Sequence, residues 1–239
     1  MNTRSDKTIG VLGGMGPEAT VEFMRRVIAA TPADDDADHL RLLVDNNPKV
    51  PSRIRALIDG DGEDPSPTLA AMARGLVSAG AELLVIPCNT AHWYLPAVRG
   101  AVEVPVLDVV ALTASALSAC SPRPVRVGLL GSIAVQRVGL FDARLGDAGF
   151  QLHYPAEAGQ RRLLEVIRGV KAGRPLEALA RDYHQVAAAL AEDGADALLV
   201  ACSELSVLPA PTPASAPALP VLDTLDLLVQ ATVATARAG

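Results

Sequence analysis

The chain has 239 residues, of which 50% are apolar, 20% charged and only 3% aromatic, and its formal net charge is −6. This length allows one large hydrophobic core or two smaller ones. An acidic chain without a basic stripe or an apolar run long enough to span a bilayer argues against nucleic-acid and membrane partners.

The beginning of the chain and its cysteine content predict where the protein is located. Residues 1–8 are polar and lack the apolar core of a secretory signal peptide. The three cysteines are too few, and odd in number, for a disulfide framework. We therefore expect a soluble, cytoplasmic protein whose cysteines are reduced thiols.

Short apolar runs alternate with segments of helical periodicity along the chain, which is typical of an α/β fold with parallel sheets flanked by helices. The runs predicted to be buried strands are Ile9–Leu12, Leu40–Val44, Glu82–Ile86, Val106–Val109, Val125–Leu130, Ala197–Ala201 and Val221–Leu222. The segments predicted to be helices are Glu18–Ala30, Thr68–Ala79, Leu163–Lys171 and Leu176–Glu192.

The sequence also contains an internal repeat. GAELLVIPC at positions 80–88 returns as GADALLVAC at 194–202, so both the glycines and the cysteines are 114 positions apart. PVLD at 105–108 returns 115 positions later at 220–223, and IGVLG at 9–13 corresponds to VGLLG at 127–131. The repeat predicts two pseudo-symmetric α/β lobes, 1–112 and 113–223, with a C-terminal helix over 224–239 joining the first lobe.

Cys88 and Cys202 each follow a predicted strand, at the carboxyl edge where open parallel sheets bind ligands. The polar residues that come next are suited to helix N-capping, so we expect helix N-termini to stabilise both thiolates. The pseudo-symmetry predicts that the two thiols face each other across a cleft between the lobes. Two opposed acid–base groups suit racemisation, in which a proton leaves one face of a carbon and another arrives on the opposite face.

Cysteines can also have simpler roles than catalysis. A lone free cysteine is usually a small buried hydrophobic residue, and Cys120, outside the repeat, is interpreted in that way. Cys88 and His92 are four residues apart and could ligate a metal, but the spacing of zinc sites is absent. We therefore expect no metal, and we expect His92 to pack or to form a hydrogen bond.

Four segments resemble the aspartate/glutamate racemase family, and its aspartate racemase branch in particular. They are GGMGPEAT at 13–20, NPKVPSR at 47–53, PCNTAH at 87–92 and CSEL at 202–205. The resemblance runs essentially end to end. It implies a two-lobe α/β fold with the active site in the cleft between the lobes. It also implies racemisation of aspartate and/or glutamate, no pyridoxal phosphate or other cofactor, no metal, and a homodimer.

The resemblance also implies roles for individual residues. Cys88 and Cys202 would be the two catalytic bases, and Arg53 and Lys171 would hold the side-chain carboxylate. Asn89, Thr90 and Ser203 would hold the α-carboxylate or orient the thiols, and Glu204 would lie near the ammonium group or the second thiol. The further substrate contacts are Met15, Gly16, Asn47 and Ser132.

The sequence departs from the family pattern at several positions. Ser52 stands where Asp is frequent, and Ser203 where Thr is usual. Val135 stands where a hydroxyl is common, and Phe141 where Tyr is usual. The last two changes remove polar groups and leave the preferred substrate side chain open.

Two other functions are compatible with parts of the sequence. Gly14, Gly16 and Ala19 fit the dinucleotide-binding fingerprint of an NAD-dependent oxidoreductase. Asp45, however, follows about 30 residues later rather than about 20. The same turn, with Pro17 opening a helix, could bind a carboxylate through backbone N–H groups. The second alternative is a non-catalytic dicarboxylate-binding protein, in which paired thiols would have no use.

Overall fold

The structure is a computed structural model that describes residues 6–211 and 219–238. The chain divides into two compact units, Met1–Val109 with Asp226–Gly239, and Val110–Leu225. Its helices and strands, in chain order, are β1 (Ile9–Gly13), α1 (Pro17–Ala30), β2 (Leu42–Asn46), α2 (Ser66–Ser78), β3 (Leu83–Val85), α3 (Leu95–Arg99), α4 (Val109–Ala119), β4 (Arg126–Gly131), α5 (Ile133–Arg137), α6 (Asp142–Asp147), β5 (Gln151–His153), α7 (Glu157–Lys171), α8 (Leu176–Glu192), β6 (Ala197–Ala201), β7 (Val221–Asp223) and α9 (Thr224–Arg237).

The first unit contains a parallel sheet in the order β2-β1-β3. Strand β1 is central and completely buried, which explains why IGVLG is continuously apolar or glycine. The predicted strand Val106–Val109 is wrong, because only Val106 bridges to Leu84 and the chain enters α4 at Val109. The bridge from Val106 to Leu84 nevertheless extends the sheet by one residue beyond β3.

The second unit contains a parallel sheet in the order β5-β4-β6-β7. Strand β6 is completely buried, like β1 in the first unit. Edge strand β5 was not predicted, because three partly exposed residues of sequence QLH carry no apolar periodicity. The predicted α/β fold with parallel sheets is confirmed. The strand that leads to a cysteine pairs with β1 in the first sheet and with β4 in the second.

Candidate active site

The first cysteine turn, residues 86–94, leaves β3 and is closed by a histidine. Cys88 is buried, and Thr90–Tyr94 form a 3-10 turn directly after it. The His92 ring approaches the carbonyl oxygen of Cys88 through Nδ1 at 3.0 Å. Because a carbonyl oxygen only accepts, Nδ1 carries the proton. The ring therefore holds the backbone of Cys88.

The His92 ring is buried, and this burial lowers its pKa below the ordinary value of 6.5. The nearby carboxylate of Asp108 acts in the opposite direction, since its negative charge favours the protonated ring. Asp108 is itself paired with Arg99, whose Nη1 lies 3.6 Å from the carboxylate. At neutral pH the ring is thus an uncharged hydrogen-bond donor to Cys88.

The second cysteine turn, residues 200–207, surrounds its thiol with charged groups. The Cys202 thiol donates to Oε2 of Glu204 at 3.1 Å, and both residues are buried. Lys171, at the end of α7, places Nζ 3.3 Å from the other Glu204 oxygen. Burial raises the pKa of Cys202 well above its usual value, and the Glu204 carboxylate raises it further. Cys202 is therefore a protonated thiol.

The expectation that a helix N-terminus stabilises the thiolate is wrong for Cys202. Each cysteine is followed by a short 3-10 turn, and neither Asn89 nor Glu204, at the cap positions, makes a side-chain cap hydrogen bond. At Cys202 the effect of the surroundings on the pKa is the reverse of the expected one, because a buried carboxylate lies against the sulfur.

The turn after β1 is closed by a threonine. The backbone N–H of Gly14 donates to Oγ1 of Thr20 at 2.9 Å, and that hydroxyl donates to the carbonyl of Gly16 at 3.2 Å. Gly14 has a φ of +88°, and a Cβ there would lie 2.3 Å from the backbone of Asn47. Close packing against Asn47 thus explains a glycine that the dinucleotide interpretation assigned to a phosphate.

Arg53 is tied to the same turn. Its guanidinium donates to the carbonyl oxygens of Val50 at 3.3 Å, Pro51 at 3.0 Å and Met15 at 3.2 Å. A guanidinium has five N–H donors, so two remain without a partner among the described residues. Arg53 is therefore fixed in place and can still bind a carboxylate.

The candidate residues form a set within each unit. In the first unit, Met15 contacts Arg53, and Met15 belongs to the same apolar cluster as Cys88. In the second unit, Ser132 follows Gly131, which pairs with the residue before Cys202, and its hydroxyl caps α5. Ser203 lies between Cys202 and Glu204 and is buried.

Sequence reasoning did not assign roles to several residues around these sets. Thr20 closes the turn after β1. Tyr94 is buried, and this burial raises the pKa of its hydroxyl. The guanidinium of Arg53 is near enough to act in the opposite direction. The position of Thr20 inside the GGMGPEAT segment was the only signal for it. Tyr94 lies outside all four segments and had no signal.

Comparison with known proteins identifies the family. The sequence profile of the Asp/Glu/Hydantoin racemase family matches residues 12–232. The chain belongs to this family. It is 24% identical over 232 residues to the broad specificity amino-acid racemase RacX of Bacillus subtilis, covering 95% of this chain and 97% of that protein. It is 31% identical over 138 residues to the glutamate racemase of Corynebacterium glutamicum, covering 57% of this chain and 49% of that protein.

Solved structures agree with this assignment. Picrophilus torridus aspartate racemase superposes with a TM-score of 0.84 at 29% identity, covering 97% of this chain and 94% of that one. The chain is thus an amino-acid racemase, an isomerase, and the resemblance of its four segments to racemases is confirmed. This result disfavours the oxidoreductase and binding-protein alternatives.

Three further observations concern two positions that depart from the family pattern, possible metal ligands and possible membrane-spanning helices. Val135 and Phe141, where family members often carry hydroxyls, are fully buried in the second unit. Within the described ranges 6–211 and 219–238, no three His, Cys, Asp or Glu side chains are grouped as metal ligands. No helix of the described chain has the length and apolarity needed to cross a membrane.

Proposed function

We propose that this racemase interconverts the enantiomers of aspartate and/or glutamate by a cofactor-independent mechanism in which Cys88 and Cys202 are the two acid–base groups. The observation that carries the proposal is the equivalent position of the two thiols. Each is buried and follows a strand of a parallel sheet, β3 paired with β1 in the first unit and β6 paired with β4 in the second. The carboxyl ends of parallel strands are where such sheets bind their ligands.

The proposed reaction needs one thiolate and one thiol at the start. Cys202 supplies the thiol, because burial and Glu204 raise its pKa. The Cys88 thiolate takes the α-proton of one enantiomer, and Cys202 gives its proton to the opposite face of the resulting carbanion. Cys88 is then protonated and Cys202 ionised, so the reverse transfer converts the other enantiomer.

Lys171 makes the second half of this cycle possible. A Cys202 thiolate beside the Glu204 carboxylate would be strongly disfavoured without a compensating cation. The ammonium of Lys171 lowers the pKa of Cys202 and pairs with Glu204 at 3.3 Å. This pairing supports a role in balancing charge on the thiol rather than the role first expected for Lys171, holding the side-chain carboxylate.

The substrate class follows from Arg53. Burying a carboxylate without a paired cation is very costly, and Arg53 has two N–H donors that no described residue uses. These donors support binding of the side-chain carboxylate of aspartate or glutamate. Asn89, Thr90 and Ser203, next to the thiols, are proposed to hold the α-carboxylate, with Met15, Gly16, Asn47 and Ser132 as further contacts.

The quaternary structure, location and lobe boundaries are also proposals. We propose a cytoplasmic homodimer with lobes 1–112 plus 224–239, and 113–223. Three cysteines that form no disulfide support a reducing compartment. A site in a cleft between the lobes stays a prediction from the sequence repeat.

The test is exchange of the α-proton in deuterium oxide. Single enantiomers of aspartate, glutamate and several neutral amino acids are incubated with protein that has been dialysed against a chelator. Optical rotation and the α-proton NMR signal are followed together. We expect inversion with incorporation of one deuteron for an acidic amino acid, without added metal, pyridoxal phosphate or nicotinamide. Inversion that returns only when one of these is added would contradict the cofactor-independent mechanism.

A further inference from the structure

Positions 92 and 206 are 114 apart, the same offset that relates the two cysteines, so each lies four residues after its cysteine. Their residue types differ, one histidine and one serine, and for that reason the repeat does not show up there in the sequence. Both side chains are buried. In the structure each side chain lies within 3.4 Å of the carbonyl oxygen of its cysteine.

In the first cysteine turn, His92 connects two parts of the sheet edge. Nδ1 contacts the carbonyl of Cys88 at 3.0 Å, and the ring lies within the electrostatic influence of Asp108. Asp108 ends the PVLD segment, in which Val106 bridges to Leu84 on the strand that leads to Cys88. His92 therefore lies between the cysteine backbone and the neighbouring segment of the sheet.

In the second cysteine turn, Ser206 occupies the same place. Its hydroxyl lies 3.4 Å from the carbonyl of Cys202 and donates to Oδ1 of Asp223 at 2.7 Å. Asp223 ends the second PVLD segment and pairs with Val200 on β6. Its Oδ1 also accepts from the backbone N–H of Leu225 at 2.8 Å, which fixes the carboxylate.

We propose that His92 with Asp108, and Ser206 with Asp223, are positioning residues that set the direction of the Cys88 and Cys202 thiols. The inference rests on the proposed two-thiol function. The backbone of a cysteine fixes the direction of its Cα–Cβ bond, from which the position of Sγ follows by a single rotation. Each anchor lies between that backbone and the neighbouring PVLD segment. Proton transfer to and from carbon depends steeply on such geometry, because a displacement of about 1 Å can cost roughly 100-fold in rate.

The experiment measures each thiol separately in one sample. Iodoacetamide alkylation at fixed pH is followed by peptide-resolved mass spectrometry, which gives the rates at Cys88, Cys202 and Cys120. The variants are Ser206→Ala, Ser206→Thr, Asp223→Asn, His92→Leu and His92→Asn. Ser118→Ala is the matched control, because its hydroxyl also bonds to the carbonyl four residues earlier, at 2.8 Å, but on α4.

We expect Ser206→Ala and Asp223→Asn to change the Cys202 rate by at least about threefold, the size expected for a lost hydrogen bond. The Cys88 and Cys120 rates should stay as in the parent. We expect His92→Leu to change only the Cys88 rate. The conservative variants Ser206→Thr and His92→Asn keep a donor and should restore the parental rates, together with racemase kcat/KM. Ser118→Ala should change none of them.

Two results would overturn the inference. One is equal alkylation rates in the alanine and parent proteins. The other is a change at all three cysteines together, which indicates general loosening of the fold. The proposed function fails in a different way. If no amino acid is racemised by the parent protein while the alkylation rates change at the expected single thiol, the anchors stand and the two-thiol reaction does not.

Discussion

The two cysteine turns share a frame but differ in charge. Each follows a buried strand, which pairs with β1 in the first sheet and with β4 in the second. In each turn, the side chain four residues after the cysteine lies within 3.4 Å of the cysteine's carbonyl oxygen. Two residues after the cysteine they diverge, because Thr90 occupies the position that corresponds to Glu204. Only the second turn therefore has a carboxylate against its sulfur, with Lys171 paired to it.

This difference has a chemical consequence for a racemase. A racemase that uses two thiols needs one of them ionised and the other protonated at the start of each turnover. A buried carboxylate beside one sulfur makes the two sites unequal. The duplicated backbone thus places the two thiols at equivalent positions of their own units, and Glu204, which has no counterpart in the first turn, adds to the effect of burial in raising the pKa of Cys202.

The largest expected effect comes from removing either thiol. Cys88→Ala and Cys202→Ala should each lower kcat/KM for racemisation by at least about 100-fold, because each enantiomer requires one base and one acid. The measurement is optical rotation with each enantiomer of the preferred substrate. The two variants should be equally impaired if the turns are functional equivalents.

The control for this pair is Cys120→Ala. Cys120 is partly buried, and its thiol donates to the helical carbonyl of Ala116 at 3.5 Å. Its removal should leave kcat/KM within about twofold of the parent. Full racemase activity in Cys88→Ala or in Cys202→Ala would refute the two-thiol mechanism.

A smaller effect is expected from the removal of Arg53, which lies in the first unit. Arg53→Ala should reduce kcat/KM for aspartate or glutamate by at least about tenfold, equivalent to roughly 1.4 kcal/mol. Neutral amino acids should be affected much less, since they carry no side-chain carboxylate. Initial rates across a panel of both substrate types provide the measurement.

Arg55→Ala is the matched control for Arg53→Ala. Arg55 is two residues away, exposed, and paired with exposed Asp61 at 3.0 Å, so its loss should leave the substrate preference unchanged. If Arg53→Ala also leaves the preference unchanged, an acidic substrate is the wrong choice, and the thiol pair would serve another class of amino acid.

The fold could be predicted well because the repeat indicates two similar units and the apolar runs indicate their strands. Helix α8 was predicted with its observed bounds, and β6 likewise. The prediction failed where local pattern is weak. Val106 contributes one bridge rather than a strand, and the three residues of β5 pair only through their backbone.

The candidate site was predictable in its residues but not in its electrostatics. The cysteines followed from their repeat positions, whereas the raised pKa of Cys202 depends on a sulfur–carboxylate distance that sequence does not contain. His92 was expected to pack or to form a hydrogen bond, and it does so. Its correspondence with Ser206 was not predicted, because a repeat is detected by identity and the two residue types differ.

The charge difference between the turns can be tested at Glu204. Glu204→Gln removes the negative charge beside Cys202, so the pKa of Cys202 should fall towards its usual value while the sulfur stays buried. The pH at which Cys202 alkylation reaches half its maximal rate should move downwards. Glu165→Gln on α7, whose exposed carboxylate pairs with Arg168, is the control and should cause no shift. An unchanged Cys202 profile in Glu204→Gln would mean that burial alone protonates the thiol.

The smallest expected effect is a pH dependence of stability that distinguishes His92 from Ser206, because an imidazole titrates and a serine hydroxyl does not. Burial places its folded-state pKa below the unfolded value of 6.5, so the folded protein favours the neutral ring. The contribution of the neutral ring to the free energy of unfolding is fully present above pH 6.5 and is lost as the pH falls through the lowered folded-state pKa. Urea unfolding at about pH 7 and about pH 5 should therefore show a larger loss of stability in the parent than in His92→Asn.

Asp108 and Arg99, which face the ring, are present in both proteins, so their direct contributions largely cancel. His39→Asn, at an exposed histidine, should behave like the parent. If His92→Asn loses as much stability as the parent over this range, the ring is not held as a neutral donor, and the difference between the two anchors has no titratable component.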